Sequence, residues 1–342
     1  MCGSGLISII IPVFNVRPYL EKALESVIRQ TYSHLEIIVI DDGSTDGSGV
    51  ICDEFAKRDE RIKVVHQQNR GLSSARNAGL DIMNGKAVAF LDPDDSYHPD
   101  YIKVMAEAME REKADIVVCR YIVHYANKKS GRTGKEKARP RIKAGTYTRI
   151  EVLQALIDKT VNVGVWNKLY RSRLWDTIRF PDGHNYEDND TTFKVLDLCS
   201  SVFVLDQTLY YHLKRPGSIT TTVSEANIND INLAKSHFEE FVSANTPAVF
   251  TFGQLSKVRQ ATLYVMIKKY IRYRSSICSP NDRFIEKMRT QIAEKGEELG
   301  VRSMAFHGKA AYLMLLKCPK LLKAAYPAYR LIRKLIYEIK SK

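Results

Sequence analysis

The chain has 342 residues, 44% hydrophobic and 27% charged, which is room enough for two domains and excludes wholesale disorder. Its formal charge of +13 implies an anionic partner: nucleic acid, acidic lipid head groups or a phosphorylated substrate. Six scattered cysteines form no CxxC pair and no histidines sit at zinc spacing, so Cys52, Cys119 and Cys199 read as buried free thiols suited to a reducing cytosol.

The apolar run at residues 6–14 is far too short to cross a bilayer and has no basic N-terminal flank. It reads as a buried strand with no secretory signal. Further strands are expected at 35–40, 61–65, 86–91 and 115–119, where Val, Ile and Leu dominate. Between them Leu20, Ala23, Leu24, Val27 and Ile28 mark one helical face, and helices are expected at 50–58, 73–83 and 99–112. Such βα repetition predicts an α/β fold with a mostly parallel sheet flanked by helices, its ligands gathered at the strands' carboxyl ends. Residues 128–143 read as a basic, exposed hairpin or loop. Helices are expected again at 149–158 and 190–198, a strand at 202–211, and a helical region from about Asn227. The division expected is 1–120 and 121–225 as two halves of one domain, then 226–342 as a helical region with a basic tail.

Polar clusters do follow the strands. The strand at 35–40 runs into Asp41-Asp42-Gly43-Ser44-Thr45-Asp46-Gly47-Ser48. Adjacent carboxylates at a strand end suit nucleobase N–H groups or ribose hydroxyls; a capped turn is the alternative. Asp92-Pro93-Asp94-Asp95 follows the strand at 86–91, and its mutual repulsion is relieved by a divalent cation bridging phosphate oxygens. Oxygen-only ligands favour Mg²⁺ or Mn²⁺ over zinc. Between them, residues 69–79 form a glycine loop entering a helix with Arg70 and Arg76 nearby, suited to a diphosphate or simply capped. Glu187-Asp188 precedes the helix signal at 191–198, as a general base towards an acceptor hydroxyl or as helix-terminal acids.

In order, these segments resemble the family 2 glycosyltransferases, which have the GT-A fold, Rossmann-like in its sheet. The matching stretches are Ser8-Ile9-Ile10-Ile11-Pro12-Val13-Phe14-Asn15 with Tyr19-Leu20, Ile40-Asp41-Asp42-Gly43-Ser44-Thr45-Asp46, Asn69-Arg70-Gly71-Leu72-Ser73, Ala75-Arg76-Asn77, Phe90-Leu91-Asp92-Pro93-Asp94-Asp95, Trp166-Asn167-Lys168-Leu169-Tyr170 and Glu187-Asp188. The resemblance implies that Pro12, Phe14, Asp41 and Asp42 line a base and ribose pocket, and that Arg76 reaches the base or diphosphate. It implies Asp92 and Asp94 as the D-x-D element, with Asp94 the direct ligand of Mn²⁺ or Mg²⁺. Asp188 matches the base, with Glu187 holding it and Asp190 in reserve. His212, Arg215 and Ser218 would close over the diphosphate; Trp166 is a sugar platform or a core tryptophan. The activity implied is inverting transfer of a hexosyl or N-acetylhexosaminyl group from a nucleotide-sugar, UDP-linked, to a carbohydrate or lipid-linked acceptor in surface polysaccharide synthesis.

From Gly308 onward nine Lys and Arg residues face the single acid Glu338, with Leu331, Leu335 and Ile339 at helical spacing. This tail reads either as an interfacial segment on an anionic membrane or as a cap on the domain. The expected location is cytoplasmic, with peripheral attachment to the inner face of the plasma membrane under the first alternative. A nucleotidyltransferase would show a glycine-rich basic loop near residues 12–15, which is missing. A non-catalytic binding protein would line its basic residues along one face, whereas the sharpest clusters here are acidic, which also argues against nucleic acid.

Overall fold

Ile and Val make up most of the first strand, β1 (Ile7–Val13), and every one of its positions is buried. A strand covered on both faces reads as a continuous apolar run, and that is why it was visible in the sequence. The same holds for β2 (Leu35–Asp41) and β4 (Ala87–Phe90). The structure, a computed structural model, describes residues 5–125, 142–215, 217–218, 222–277, 280–300 and 312.

The chain falls into two units, residues 1–221 and 222–342. In the first, helices α1 (Arg17–Ile28), α2 (Ser48–Arg58) and α3 (Leu72–Ile82) connect β1, β2, β3 (Ile62–His66) and β4. These four strands are parallel neighbours in the order β3-β2-β1-β4. Beyond them come β5 (Ser96–Tyr97), α4 (Tyr101–Arg111), β6 (Ile116–Tyr125), β7 (Gly145–Thr148), α5 (Arg149–Ile157), β8 (Lys168–Arg171), α6 (Glu187–Leu198) and β9 (Ser201–Lys214).

The mostly parallel sheet holds over the first four strands and gives way to a mixed one after β4. The α4 crossover leaves one strand's width between β4 and β6, and β8 fills it antiparallel to both. β6 then pairs parallel with the long β9, against which β5 and β7 lie antiparallel. The sheet is thus the α/β scaffold expected, with its parallel ends (Val13, Asp41, His66, Phe90) on one edge. Cys52, Cys119 and Cys199 are buried free thiols, and burial pushes each up to about 12.

The second unit is helical: α7 (Glu225–Ala244), α8 (Phe252–Ser276) and α9 (Asp282–Leu299). Ser224, Thr251 and Asn281 each accept a bond from the backbone N–H three residues on, closing the helix starts. Ile228, Leu263, Ile267, Phe284, Met288 and Ile292 belong to its own core. Among the described residues no helix is long and apolar enough to cross a membrane. Most of the basic stretch at 128–143, and the tail from Gly308 apart from Tyr312, lie outside the described residues.

Candidate active site

β1 and β2 end side by side, Val13 paired with Asp41, and the Asp42 N–H donates to the Val13 carbonyl at 2.8 Å. The two carboxylates there are only 5% and 2% exposed. Asp41 accepts from the Ser44 N–H at 3.1 Å through one oxygen and meets His66 Nδ1 at 2.8 Å through the other. His66 Nε2 reaches Asp53 on α2 at 3.0 Å. The bond to Asp41, then that to Asp53, holds the imidazole above its ordinary value against some burial. Gly49 lets α2 settle here, since a Cβ would lie 2.7 Å from Asp41 Oδ2. Asp42 accepts from Gln67 Nε2 at 2.7 Å, Arg70 N at 2.9 Å and Gly71 N at 2.8 Å. Both acids therefore fix backbone, Asp41 the turn after β2 and Asp42 the 67–71 loop. Pro12 is buried within β1, while Phe14 just beyond it is 43% exposed.

After β4, the three acids of the second cluster take three different partners. Asp92 Oδ1 accepts from Arg76 NH2 at 2.7 Å, and Arg76 NH1 bonds Glu187 on α6. Arg76 lies on α3 with only 2% exposure, so one buried guanidinium ties the β4 loop to the start of α6. Burial disfavours its charge, but the carboxylates of Glu187 and Asp92, and Asp188 beyond them, hold it cationic. Asp94 Oδ2 accepts from Arg215 Nε at 2.6 Å, and the Arg215 guanidinium lies 5.0 Å from the centre of the Tyr19 ring. Asp95 accepts from the Tyr210 hydroxyl and the Leu213 N–H, both at 2.7 Å, and meets His212 Nδ1 at 3.0 Å. Tyr210 and His212 share a face of β9 because side chains alternate along a strand. Burial raises Asp95 to about 6 against the pull of His212. His212 is drawn down by burial, yet Asp95 outweighs this and keeps it above its ordinary value.

The third element is α6. Tyr186 adopts φ 62° at its N-cap, and Glu187, Asp188 and Asp190 fall in its first turn rather than ahead of it. Their charges face the positive end of the helix dipole. Glu187 is buried; burial raises it to about 7, opposed by Arg76 and reinforced by the Asp188 charge. Asp188 is half-buried and accepts from Asn189 Nδ2 at 2.9 Å. Asp190 is 5% exposed and paired with Lys194 at 3.0 Å.

Trp166 is 8% exposed, stacked on His212 (5.1 Å, 9°) and edge-on to Tyr121 at 4.6 Å. That is a core tryptophan rather than an open sugar platform. Beneath it Lys168 is fully buried, and its ammonium donates to Asn162 Oδ1 and Asn167 Oδ1 at 3.1 Å, to Asn162 O at 3.2 Å and to the Gly164 carbonyl. Burial pulls it down to about 7, with the Asp188 charge the largest influence in the other direction. Sequence reasoning singled out neither Lys168, Asp95, His66, Tyr19 nor Tyr210 as site residues. Lys168 and Tyr19 stand in stretches that match the family and Asp95 is the third acid of its string, whereas His66 and Tyr210 carried no signal. Ser218 lies in a bend after Gly217, and residues 219–221 beyond it are outside the described residues. Three separate contacts thus leave the β4 loop: Asp92 to Arg76 on α3, which also holds Glu187 on α6; Asp94 to Arg215 just beyond β9; and Asp95 to Tyr210 and His212 on β9.

A profile described as "Glycosyl transferase family 2" matches residues 8–185. The chain belongs to that family. It is 37% identical over 224 residues to glycosyltransferase GlyA of Streptococcus pneumoniae serotype 4, an alignment covering 64% of this chain and 32% of GlyA. The fold is similar to that of Staphylococcus aureus TarS 1-349 in complex with UDP-GlcNAc: TM-score 0.58, 20% identity, 86% of this chain and 90% of that one. It is also similar to the mannosyltransferase PcManGT of Pyrobaculum calidifontis in complex with GDP-Man and Mn²⁺: TM-score 0.54, 15% identity, 92% and 88%. At these identities the two structures speak for the GT-A fold.

The donor chemistry of this family 2 chain fits a hard divalent cation. Asp92 and Asp94 offer only carboxylate oxygens, and Mg²⁺-like ions commonly take one or two carboxylates and complete their shell with phosphate oxygens and water. Among the described residues no group of three or more His, Cys, Asp or Glu is placed to hold a metal unaided. Remaining ligands would come from a bound diphosphate. Arg76 Nε has no partner among the described residues, which leaves one buried donor uncommitted beside the same carboxylates.

Proposed function

We propose that this chain transfers a hexosyl or N-acetylhexosaminyl group, with inversion, from a UDP-sugar to a hydroxyl of a carbohydrate or lipid-linked acceptor in surface polysaccharide synthesis. The work is placed at the cytoplasmic side of the envelope. One observation carries the reading: Arg76 joins Asp92 of the donor-side loop to Glu187 on the helix that bears Asp188. Cation-binding acids and a candidate base are thereby held in one site. The UDP-GlcNAc bound to TarS and the GDP-Man and Mn²⁺ bound to PcManGT support the class of donor and ion.

In this reading Phe14 and the turn and loop fixed by Asp41 and Asp42 receive the nucleoside, and Arg215, His212 and Ser218 close towards the diphosphate. Asp94, with Asp92 beside it, would hold a Mn²⁺ or Mg²⁺ ion, which would supply positive charge for the leaving diphosphate. Asp188 takes the proton of the acceptor hydroxyl, whose oxygen attacks the anomeric carbon opposite the diphosphate. The bond to the diphosphate oxygen breaks, its electron pair leaves with that oxygen, and one displacement inverts the centre. Asp188 suits this better than Asp190, which is buried and held by Lys194. Glu187 is a positioning residue, since its contact is with Arg76.

A panel of nucleotide-sugars, assayed with Mn²⁺ for thermal stabilisation and donor hydrolysis, tests the function and identifies the donor. With that donor, Asp188→Asn should lower turnover by about 10²–10⁴-fold, the usual worth of a general base, while the protein keeps its Tm and its UDP binding. Asp94→Ala should abolish the response to Mn²⁺. Wild-type turnover by Asp188→Asn sinks the assignment.

A further inference from the structure

Both acids of the D-x-D element already hold an arginine, but the two ion pairs differ in kind. Arg76 is 2% exposed and divided between Asp92 and Glu187, so it is fixed from two sides. Arg215 has a single carboxylate partner among the described residues, Asp94 at 2.6 Å, with 19% and 15% side-chain exposure respectively. It is the first residue beyond β9, and its guanidinium rests on Tyr19 at 5.0 Å. A cation–π contact of this kind stabilises the guanidinium independently of Asp94. Arg215 can therefore leave the carboxylate without leaving the site.

A divalent cation on Asp94 meets that guanidinium at ion-pair distance, where like charges in a partly buried setting repel strongly. The cation must compete for the carboxylate and then sit beside a displaced positive charge. A nucleoside diphosphate removes both penalties, because its phosphate oxygens can complete the cation's shell and accept the freed guanidinium.

We propose that Arg215 is a latch on Asp94, which suppresses cation binding until a nucleoside diphosphate arrives and then transfers from the carboxylate to the phosphates. The proposal rests on the donor-site reading above and adds an order to it: cation and nucleotide bind as a coupled pair.

The test is a titration of Mn²⁺, with free ion followed by electron paramagnetic resonance, into wild type, Arg215→Gln and Arg215→Lys, each with and without saturating UDP. Without UDP, Arg215→Gln should bind Mn²⁺ about tenfold more tightly than wild type, equivalent to about 1.4 kcal/mol. Arg215→Lys, which keeps the charge, should stay close to wild type. With UDP the advantage of Arg215→Gln should vanish or reverse. Adding Asp94→Asn to each background should erase the difference, which ties it to this carboxylate. Equal Mn²⁺ affinities of wild type and Arg215→Gln without UDP overturn the latch. A wild type that takes up no Mn²⁺ even with UDP present overturns the donor-site reading as well, so the two failures are told apart. Thermal unfolding of each variant confirms that folded proteins are compared.

Discussion

Asp95 shows how a residue's role can be invisible in its local sequence. In the string Asp92-Pro93-Asp94-Asp95 nothing distinguishes the third acid from the first two. Yet its neighbours lie more than a hundred residues away, at Tyr210, His212 and Leu213, and they make it a buried anchor for the end of β9. Asp41 is similar: the adjacent acids were legible as a pair at a strand end, but its commitment to His66 depends on β2 and β3 lying side by side. His66 supplies a pH test. Its folded-state value is raised above 6.5. A histidine raised on folding contributes stability that is fully present below its unfolded value and is lost as pH rises through the folded one. His66→Gln should therefore lower Tm more at about pH 5.5 than at about pH 9. Half of the imidazole is solvent-exposed, so the difference should be modest. Equal losses at both pH values would show that the clasp does not act through charge.

At the level of elements, legibility followed burial on both faces. β1, β2 and β4 announced themselves as apolar runs ending in polar turns, and the matching ends came together as the parallel-sheet rule requires. β8 did not, because it is four residues long and starts with a lysine; the oxygens of Asn162, Gly164 and Asn167 that satisfy Lys168 are set by the loop's path. The start of α6 was misplaced for a comparable reason. A tyrosine at φ 62° is no helix-capping signal, so the helix signal starts three residues late, although Glu187 and Asp188 do read as helix-terminal acids under the alternative. The packing of α3 on β1 turns on one glycine. A Cβ at Gly79 would lie 2.5 Å from Cγ2 of Ile10, which is fully buried. Gly79→Ala should cost about 1–3 kcal/mol, the usual range for overpacking a core. Urea unfolding measures it, and the double variant with Ile10→Ala should lose less than the sum of the single losses. Simple additivity would mean that the helix and strand do not press on each other there.

On the scale of the molecule, charge and chemistry divide between the two units. Residues 222–342 carry 21 Lys and Arg against 10 Asp and Glu, a formal +11 of the chain's +13. Every candidate site residue lies in the first unit, with all nine strands of the described sheet and a core running from Ile7 to Tyr210. A unit of that length with its own core can fold alone. A fragment of residues 1–221 should therefore unfold cooperatively in urea and bind UDP with Mn²⁺ about as tightly as the full chain. The basic second unit should instead govern attachment to anionic surfaces, through screened charge that weakens as salt rises. Sedimentation with phosphatidylglycerol-containing vesicles separates the two roles: the full chain should pellet with them at low salt and the fragment should stay in solution. A fragment that pellets equally would move the membrane contact to the catalytic unit. One that aggregates or fails to bind UDP would show that the first unit does not fold and function alone.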